Sequence, residues 1–201
     1  GNARQASHFY RTAFGFSQWA RLGLETGVRD HTSHLLCQGN IRLVLSASLG
    51  DKGPIAEFVH RHGDGVRDVA FEVEDAGRAF ELALARGAEP VAEPSESRDS
   101  HGTVRHAAIR TFGDNIHSFV EVGGYRGPFL PGFVADEVLG EGVGLLAVDH
   151  VVGNVEQGQM TRWARWYAEV LGFETMLRFD ERDISTDYSA LKSVVMADDR
   201  R

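Results

Sequence analysis

Phe9-Tyr10-Arg11-Thr12-Ala13-Phe14-Gly15-Phe16, near the start of the chain, has a counterpart towards the other end in Trp166-Tyr167-Ala168-Glu169-Val170-Leu171-Gly172-Phe173. Aromatic pair aligns with aromatic pair, and Gly-Phe with Gly-Phe. Apolar residues at helical spacing that stop at a glycine predict a helix in each copy, ended by a residue whose missing Cβ suits a left-handed turn. Working outward, Gly1-Asn2 matches Gly153-Asn154, and Ser33-His34-Leu35-Leu36 matches Ser193-Val194-Val195-Met196. Anchors recurring in one order make this an internal repeat rather than a chance recurrence of a common helix ending.

The pattern between the anchors predicts a mixed α/β chain. A helix is predicted over 3–14, followed by strands over 17–22, 33–37 and 41–47, the last two joined by the Gln38-Gly39-Asn40 turn. A short helix over 55–62, a strand over 66–73, a helix over 75–86 capped by Asp75 and stopped by Gly87, and strands over 103–111 and 117–122 form a second such half. Residues 123–144 change to Gly, Pro and scattered apolar residues, which reads as a linker. Beyond it come a strand over 145–152, a helix within 155–171, and strands over 173–179 and 188–196. The expected fold class is therefore α+β, built from tandem βαβββ modules. The expected organisation is a module pair over 1–122 lacking its first strand, a linker over 123–144, and the beginning of a second pair over 145–201. In that last part the counterpart of residues 41–122 is unmatched, so the second module is expected to be incomplete.

Composition narrows the function. The 201 residues are 42% apolar and 25% charged, with a net charge of −8, an ordinary globular balance. No basic cluster suggests nucleic acid or an anionic membrane as a partner. No apolar run reaches the roughly 18 residues a membrane helix needs. The single cysteine, Cys37, cannot form an internal disulfide, which points to a reducing, cytoplasmic setting. Small-molecule chemistry is the expectation.

Val148-Asp149-His150-Val151-Val152-Gly153-Asn154-Val155-Glu156, followed by Asp187-Tyr188-Ser189-Ala190-Leu191-Lys192-Ser193, resembles the 4-hydroxyphenylpyruvate dioxygenase family of the vicinal-oxygen-chelate superfamily. His62-Gly63-Asp64-Gly65-Val66, His101-Gly102-Thr103-Val104 and the stretch from Tyr125 through Gly127-Pro128-Phe129-Leu130-Pro131-Gly132-Phe133 resemble the amino-terminal domain and interdomain linker of the same family. The resemblance implies an enzyme that holds Fe(II) with two histidines and a carboxylate, leaving open positions for a 2-oxo acid and dioxygen. It would form homogentisate and carbon dioxide in aromatic amino-acid catabolism, and work as a homo-oligomer, a dimer or tetramer.

On the residues alone, His150 reads either as a buried, hydrogen-bonded histidine or as a metal ligand; the resemblance implies the ligand. Asp149, on the opposite face of a strand, reads as a cap or salt-bridge partner. The other His and the Glu of the family's set are not found before Arg201. Their modular counterparts, Asp68 and Glu121, fall in the first, metal-free module and read as solvated or hydrogen-bonded carboxylates. The resemblance also implies a substrate-contacting hydroxyl at Ser193 and apolar pocket walls at Val152 and Val195, while a strand serine and core valines are the blander readings. His60, His62, His101, His106 and His117 form no convergent set. With one ligand of three, the chain by itself is expected to be inactive. Hydroxymandelate synthase, and a non-catalytic binding module of the same fold, are the alternatives.

Overall fold

The structure, a computed structural model, describes residues 1–179 and 192–198. Residues 188–191 of the strand predicted over 188–196, and the Tyr188-Ser189-Ala190-Leu191 text, lie outside the described residues. The chain divides into two compact units, one of residues 1–67, 96–105 and 121–152, the other of residues 68–95, 106–120 and 153–201.

In the first unit, helix α1 (Ala3–Phe14) starts where the Asn2 side chain accepts the Gln5 N–H at 3.1 Å, satisfying one of the free donors of the first turn. It ends at Gly15 with φ 68°. Its buried stripe runs through Ala3, Ser7 and the half-buried Tyr10, whereas Phe9 is 55% exposed. Strands β1 (Ser17–Leu22), β2 (His31–Gln38) and β3 (Ile41–Ser48) form an antiparallel sheet, with β2 and β3 in unbroken register from His31 opposite Ser48 to Gln38 opposite Ile41. One face carries Leu36 and Ile41 with Phe16 beneath Tyr10; the other carries Ala20, Leu35 and Cys37 against Phe129 and Phe133. Burial pushes the Cys37 thiol up from its ordinary value, so it behaves as a small core hydrophobe. Helix α2 (Pro54–His62) follows, with proline in its first turn.

In the second unit, β4 (Phe71–Glu72), α3 (Ala76–Ala85), β5 (Pro90–Asp99), β6 (Gly102–Arg110) and β7 (Ile116–Glu121) make one βαβββ half, with sheet order β4-β7-β6-β5 and β4 parallel to β7. The outer part of the β5–β6 hairpin, 96–105, counts with the first unit. The Asp75 carboxylate caps α3 by accepting the Arg78 N–H at 2.8 Å. Ala76, Phe80 and Ala83, spaced i, i+4, i+7, bury one helix stripe on Ala107, Ile109 and Phe119. Burying Phe80 alone contributes roughly 1.5–3 kcal/mol.

Helix α4 (Met160–Trp166) runs into one π-helical turn (Tyr167–Leu171) and packs Val170 into the same cluster. Strands β9 (Glu174–Phe179) and β10 (Ser193–Ala197) pair antiparallel.

The repeat is visible in backbone geometry. Phe16 N–H bonds to the Tyr10 carbonyl and Gly15 N–H to that of Arg11; Phe173 N–H bonds to Tyr167 and Gly172 N–H to Ala168. Ser33 lies opposite Leu22, and Ser193 opposite Phe179. Both hairpins carry a register shift at the matching place, stepping over Trp19 in β1 and over Met176 in β9.

Three expectations differ. The strand predicted over 66–73 is ladder-paired only at Phe71–Glu72, with a single bridge from Asp68 to Ile116. Within 123–144, β8 (Val134–Val138) pairs antiparallel with β1. Asp136 on β8 accepts the Gln18 amide at 2.6 Å and faces the Arg21 guanidinium at 3.2 Å, a long-range pairing that local composition does not signal. The strand predicted over 145–152 does not form: the segment is irregular, and its Leu145 N–H and Leu146 carbonyl meet the Gln38 side chain and the Asn40 N–H at the β2–β3 turn rather than a strand ladder. Among those residues, too, no helix is long and apolar enough to cross a membrane.

Candidate functional site

The segment carrying His150 leaves β8 and crosses the first unit without regular structure. Gly140 N–H donates to Ser17 Oγ at 3.0 Å, Val143 and Leu145 N–H donate to Gln38 Oε1 at 2.8 and 3.1 Å, and the Leu146 carbonyl accepts Asn40 N–H at 2.7 Å. Four residues further on, His150 Nδ1 sits 2.6 Å from Asp149 Oδ2. A carboxylate only accepts, so Nδ1 carries the proton of this bond and Nε2 takes no part in it. Asp149 and His150 thus act as a pair, where an extended strand would send them to opposite faces. The His150 side chain is 64% exposed and Val152 is 69% exposed, so the described residues of this unit enclose neither the imidazole nor the expected pocket wall at Val152.

Ser193 and Val195 belong to the second unit, half-buried on one face of β10 by the period of two. Their counterparts Ser33 and Leu35 share a face of β2 and are buried, Ser33 Oγ lying 2.7 Å from Ser46 Oγ and Leu35 packing with Ala20 and Cys37. The opposite face of β2 is buried as well, through Leu36, and Val194 and Met196 on the other face of β10 are half-buried like Ser193 and Val195.

The first module's two carboxylates are engaged locally. Asp68 accepts the backbone N–H of Ser118 at 3.1 Å and its hydroxyl at 2.6 Å. Glu121 lies 3.7 Å from the Arg105 guanidinium, which also bonds Glu96 at 2.7 Å. Both sets of contacts tie up acceptors that a cation would need.

Sequence reading missed a buried polar chain in the second unit. His117, 4% exposed, donates from Nδ1 to the Val69 carbonyl at 2.9 Å. Its Nε2 therefore accepts the Tyr167 hydroxyl at 2.8 Å, and Tyr167 Oη lies 3.2 Å from Thr111 Oγ1. Trp166 stacks on the imidazole at 6.3 Å and Phe71 tilts against it at 5.1 Å. Burial pushes His117 below the ordinary histidine range and Tyr167 above the ordinary tyrosine range, so both are neutral at pH 7. The apolar setting of His117 between Ile116 and Phe119 was the available signal.

The donor set fits iron in part. His150 fits one place: an imidazole whose Nδ1–H is held by a carboxylate, with Nε2 left out of that bond, is the usual form of a metal-bound histidine. Among the described residues no group of three His, Cys, Asp or Glu side chains comes together to complete a site.

Two mixed α/β halves with matching glycine C-caps, strand register and bulges are the arrangement of the vicinal-oxygen-chelate fold, which the solved structures below share. A family model for the amino-terminal part of hydroxyphenylpyruvate dioxygenase matches residues 3–127, and the chain belongs to that family. It is 42% identical to 4-hydroxyphenylpyruvate dioxygenase of Yarrowia lipolytica, over 98% of the chain and 53% of the relative. It is also 42% identical to that of Dictyostelium discoideum, over 98% and 56%. The chain therefore spans about half the length of the curated relatives it matches. Among solved structures, a triple mutant of 4-hydroxymandelate synthase from Streptomyces coelicolor superposes with TM-score 0.81 at 26% identity, over 98% of this chain and 56% of that one. A fusion of a xylose isomerase-like barrel with 4-hydroxyphenylpyruvate dioxygenase shares the fold, with TM-score 0.69 at 20% identity, over 98% of this chain and 28% of that one.

Proposed function

We propose that a protein of the relatives' length carrying this chain is an Fe(II)-dependent dioxygenase that converts 4-hydroxyphenylpyruvate and dioxygen to homogentisate and carbon dioxide. The observation that carries this reading is 42% identity to a 4-hydroxyphenylpyruvate dioxygenase across 98% of the chain. In this reading residues 1–122 are a metal-free module pair, 123–144 a connector, and 145–201 the beginning of the catalytic module. The protein works in the cytoplasm, in keeping with its single, buried thiol, and as a homo-oligomer.

His150 supplies one of two histidine ligands, and a carboxylate completes the set. Iron, when bound, supplies chelation of the 2-oxo acid and activation of dioxygen. The chain's own residues do the rest. Asp149 fixes the imidazole tautomer so that Nε2 is the coordinating nitrogen. The Ser193 hydroxyl orients a polar group of the substrate, and Val152 and Val195 exclude water from the reacting centre. The same modules could instead direct oxygen to the benzylic carbon, a second reading favoured by the superposition on 4-hydroxymandelate synthase.

The test is product analysis. With Fe(II), ascorbate and 4-hydroxyphenylpyruvate, the relative-length protein is expected to consume one dioxygen per homogentisate formed. 4-Hydroxymandelate in its place establishes the second reading, and no turnover together with no iron uptake would favour a non-catalytic binding module. The 201-residue chain alone, with one ligand of three, is expected to form no homogentisate.

A further inference from the structure

We propose that Gln38 is a positioning residue, whose side-chain amide straps the 140–146 segment onto the first unit and thereby sets where the Asp149–His150 pair is presented. The device lies wholly within the first unit. Gly140, Gly142 and Gly144 make this stretch flexible, and ordering each residue costs about 1–2 kcal/mol of backbone entropy. Its own side chains do little to offset that cost, since Leu139, Val143 and Leu146 are exposed. The holding is done by main-chain hydrogen bonds, two of which converge on the single atom Gln38 Oε1.

Gln38 is itself fixed. Its Nε2 donates to the Phe14 carbonyl at 2.6 Å, one of the acceptors left without a partner at the end of α1. These three bonds settle which end of the amide is oxygen, because Phe14 offers only an acceptor and Val143 and Leu145 only donors. The path is also cut to shape. A Cβ on Gly140 would collide with the Phe16 carbonyl, one on Gly15 with the Glu141 carbonyl, and one on Gly39 would lie 2.6 Å from the Leu146 carbonyl. Close backbone passage at three points, together with one shared acceptor, describes a seat for this strap. From the last anchor, Leu146, to His150 is four residues, a reach of at most about 14 Å.

The functional weight of this device rests on the reading of His150 as an iron ligand, but its test uses no iron. Amide exchange and the His150 ring resonances are measured by NMR on the 201-residue chain. In Gln38→Leu, which removes donor and acceptor, the Val143 and Leu145 amides are expected to exchange about 10-fold faster or more, and the His150 ring signal to shift. Gln38→Glu keeps an acceptor for Val143 and Leu145 but loses the donor that fixes it to Phe14, so the two amides are expected to exchange more slowly than in Gln38→Leu and faster than in the unaltered chain, with the His150 signal between the two. Unchanged exchange in Gln38→Leu overturns the proposal, as does faster exchange with an unmoved His150 signal. Should Gln38→Leu loosen β2 as well, Gly140→Ala decides. It is expected to release the same two amides while Leu35 and Leu36 stay protected, and no release overturns the strap. The ligand reading fails separately, if His150→Ala in the relative-length protein leaves Fe(II) affinity unchanged.

Discussion

Asp149 Oδ2 holds His150 Nδ1 at 2.6 Å, although the two are neighbours in sequence. On an extended strand they would diverge; the irregular backbone of 139–152 lets them meet. Removing the carboxylate charge weakens the hold on the ring. In the relative-length protein, Asp149→Asn is expected to lower Fe(II) affinity about 10- to 100-fold, measured by competition with a chelator. Unchanged affinity would show that the pair has no part in metal binding.

The His117–Tyr167 bond predicts a pH effect on the second unit. Burial holds the folded histidine below its ordinary value near 6.5, so on acidification the unfolded chain takes up a proton before the folded one does. Stability is full above about pH 6.5 and falls as the pH drops below it, through the window down to the folded value. Thermal melts at stepped pH are expected to show this slope, and His117→Gln to flatten it. Tyr167→Phe leaves the buried Nε2 unpaired and is expected to cost about 1–3 kcal/mol at neutral pH.

At the alkaline end, Tyr125 carries the effect. Its hydroxyl donates to Asp99 Oδ2 at 2.8 Å, and burial together with that carboxylate pushes it up to about 12. Between the unfolded value near 10 and about 12, the unfolded state loses the proton and the folded state keeps it. Stability is therefore expected to decline as pH rises through this window. Tyr125→Phe is expected to lessen the decline, read by denaturant midpoints at pH 9 to 12, with Tyr167 and Cys37 carrying what is left.

Leu36, fully buried against Phe16 and Ile41, tests the α1-side core. Leu36→Ala is expected to cost about 2–5 kcal/mol in chemical denaturation. A loss under 1 kcal/mol would contradict the packing described.

The elements legible from sequence are those specified locally. α1 and β1 fall on their predicted residues because Asn2 and Gly15 bracket the helix and the strand follows at once. Asp75 announced α3. β5 escaped notice because it is an edge strand with two prolines and a mostly exposed, polar surface, so it carries no alternation of apolar residues. β8 exists through its pairing with β1, more than a hundred residues earlier. At the site, His150 was singled out as a candidate ligand by the resemblance of the Val148 to Glu156 text, whereas Gln38 read only as a turn residue, since its partners Val143 and Leu145 are brought to it by the fold.

As proposed above, His150 is an iron ligand of a 4-hydroxyphenylpyruvate dioxygenase. Fe(II)-dependent homogentisate formation by the relative-length protein and by its His150→Ala variant, with bound iron quantified in each, tests that role. Stoichiometric iron and homogentisate are expected in the unaltered protein, and loss of both in the variant. Homogentisate formation undiminished in His150→Ala, with iron still bound, would contradict it.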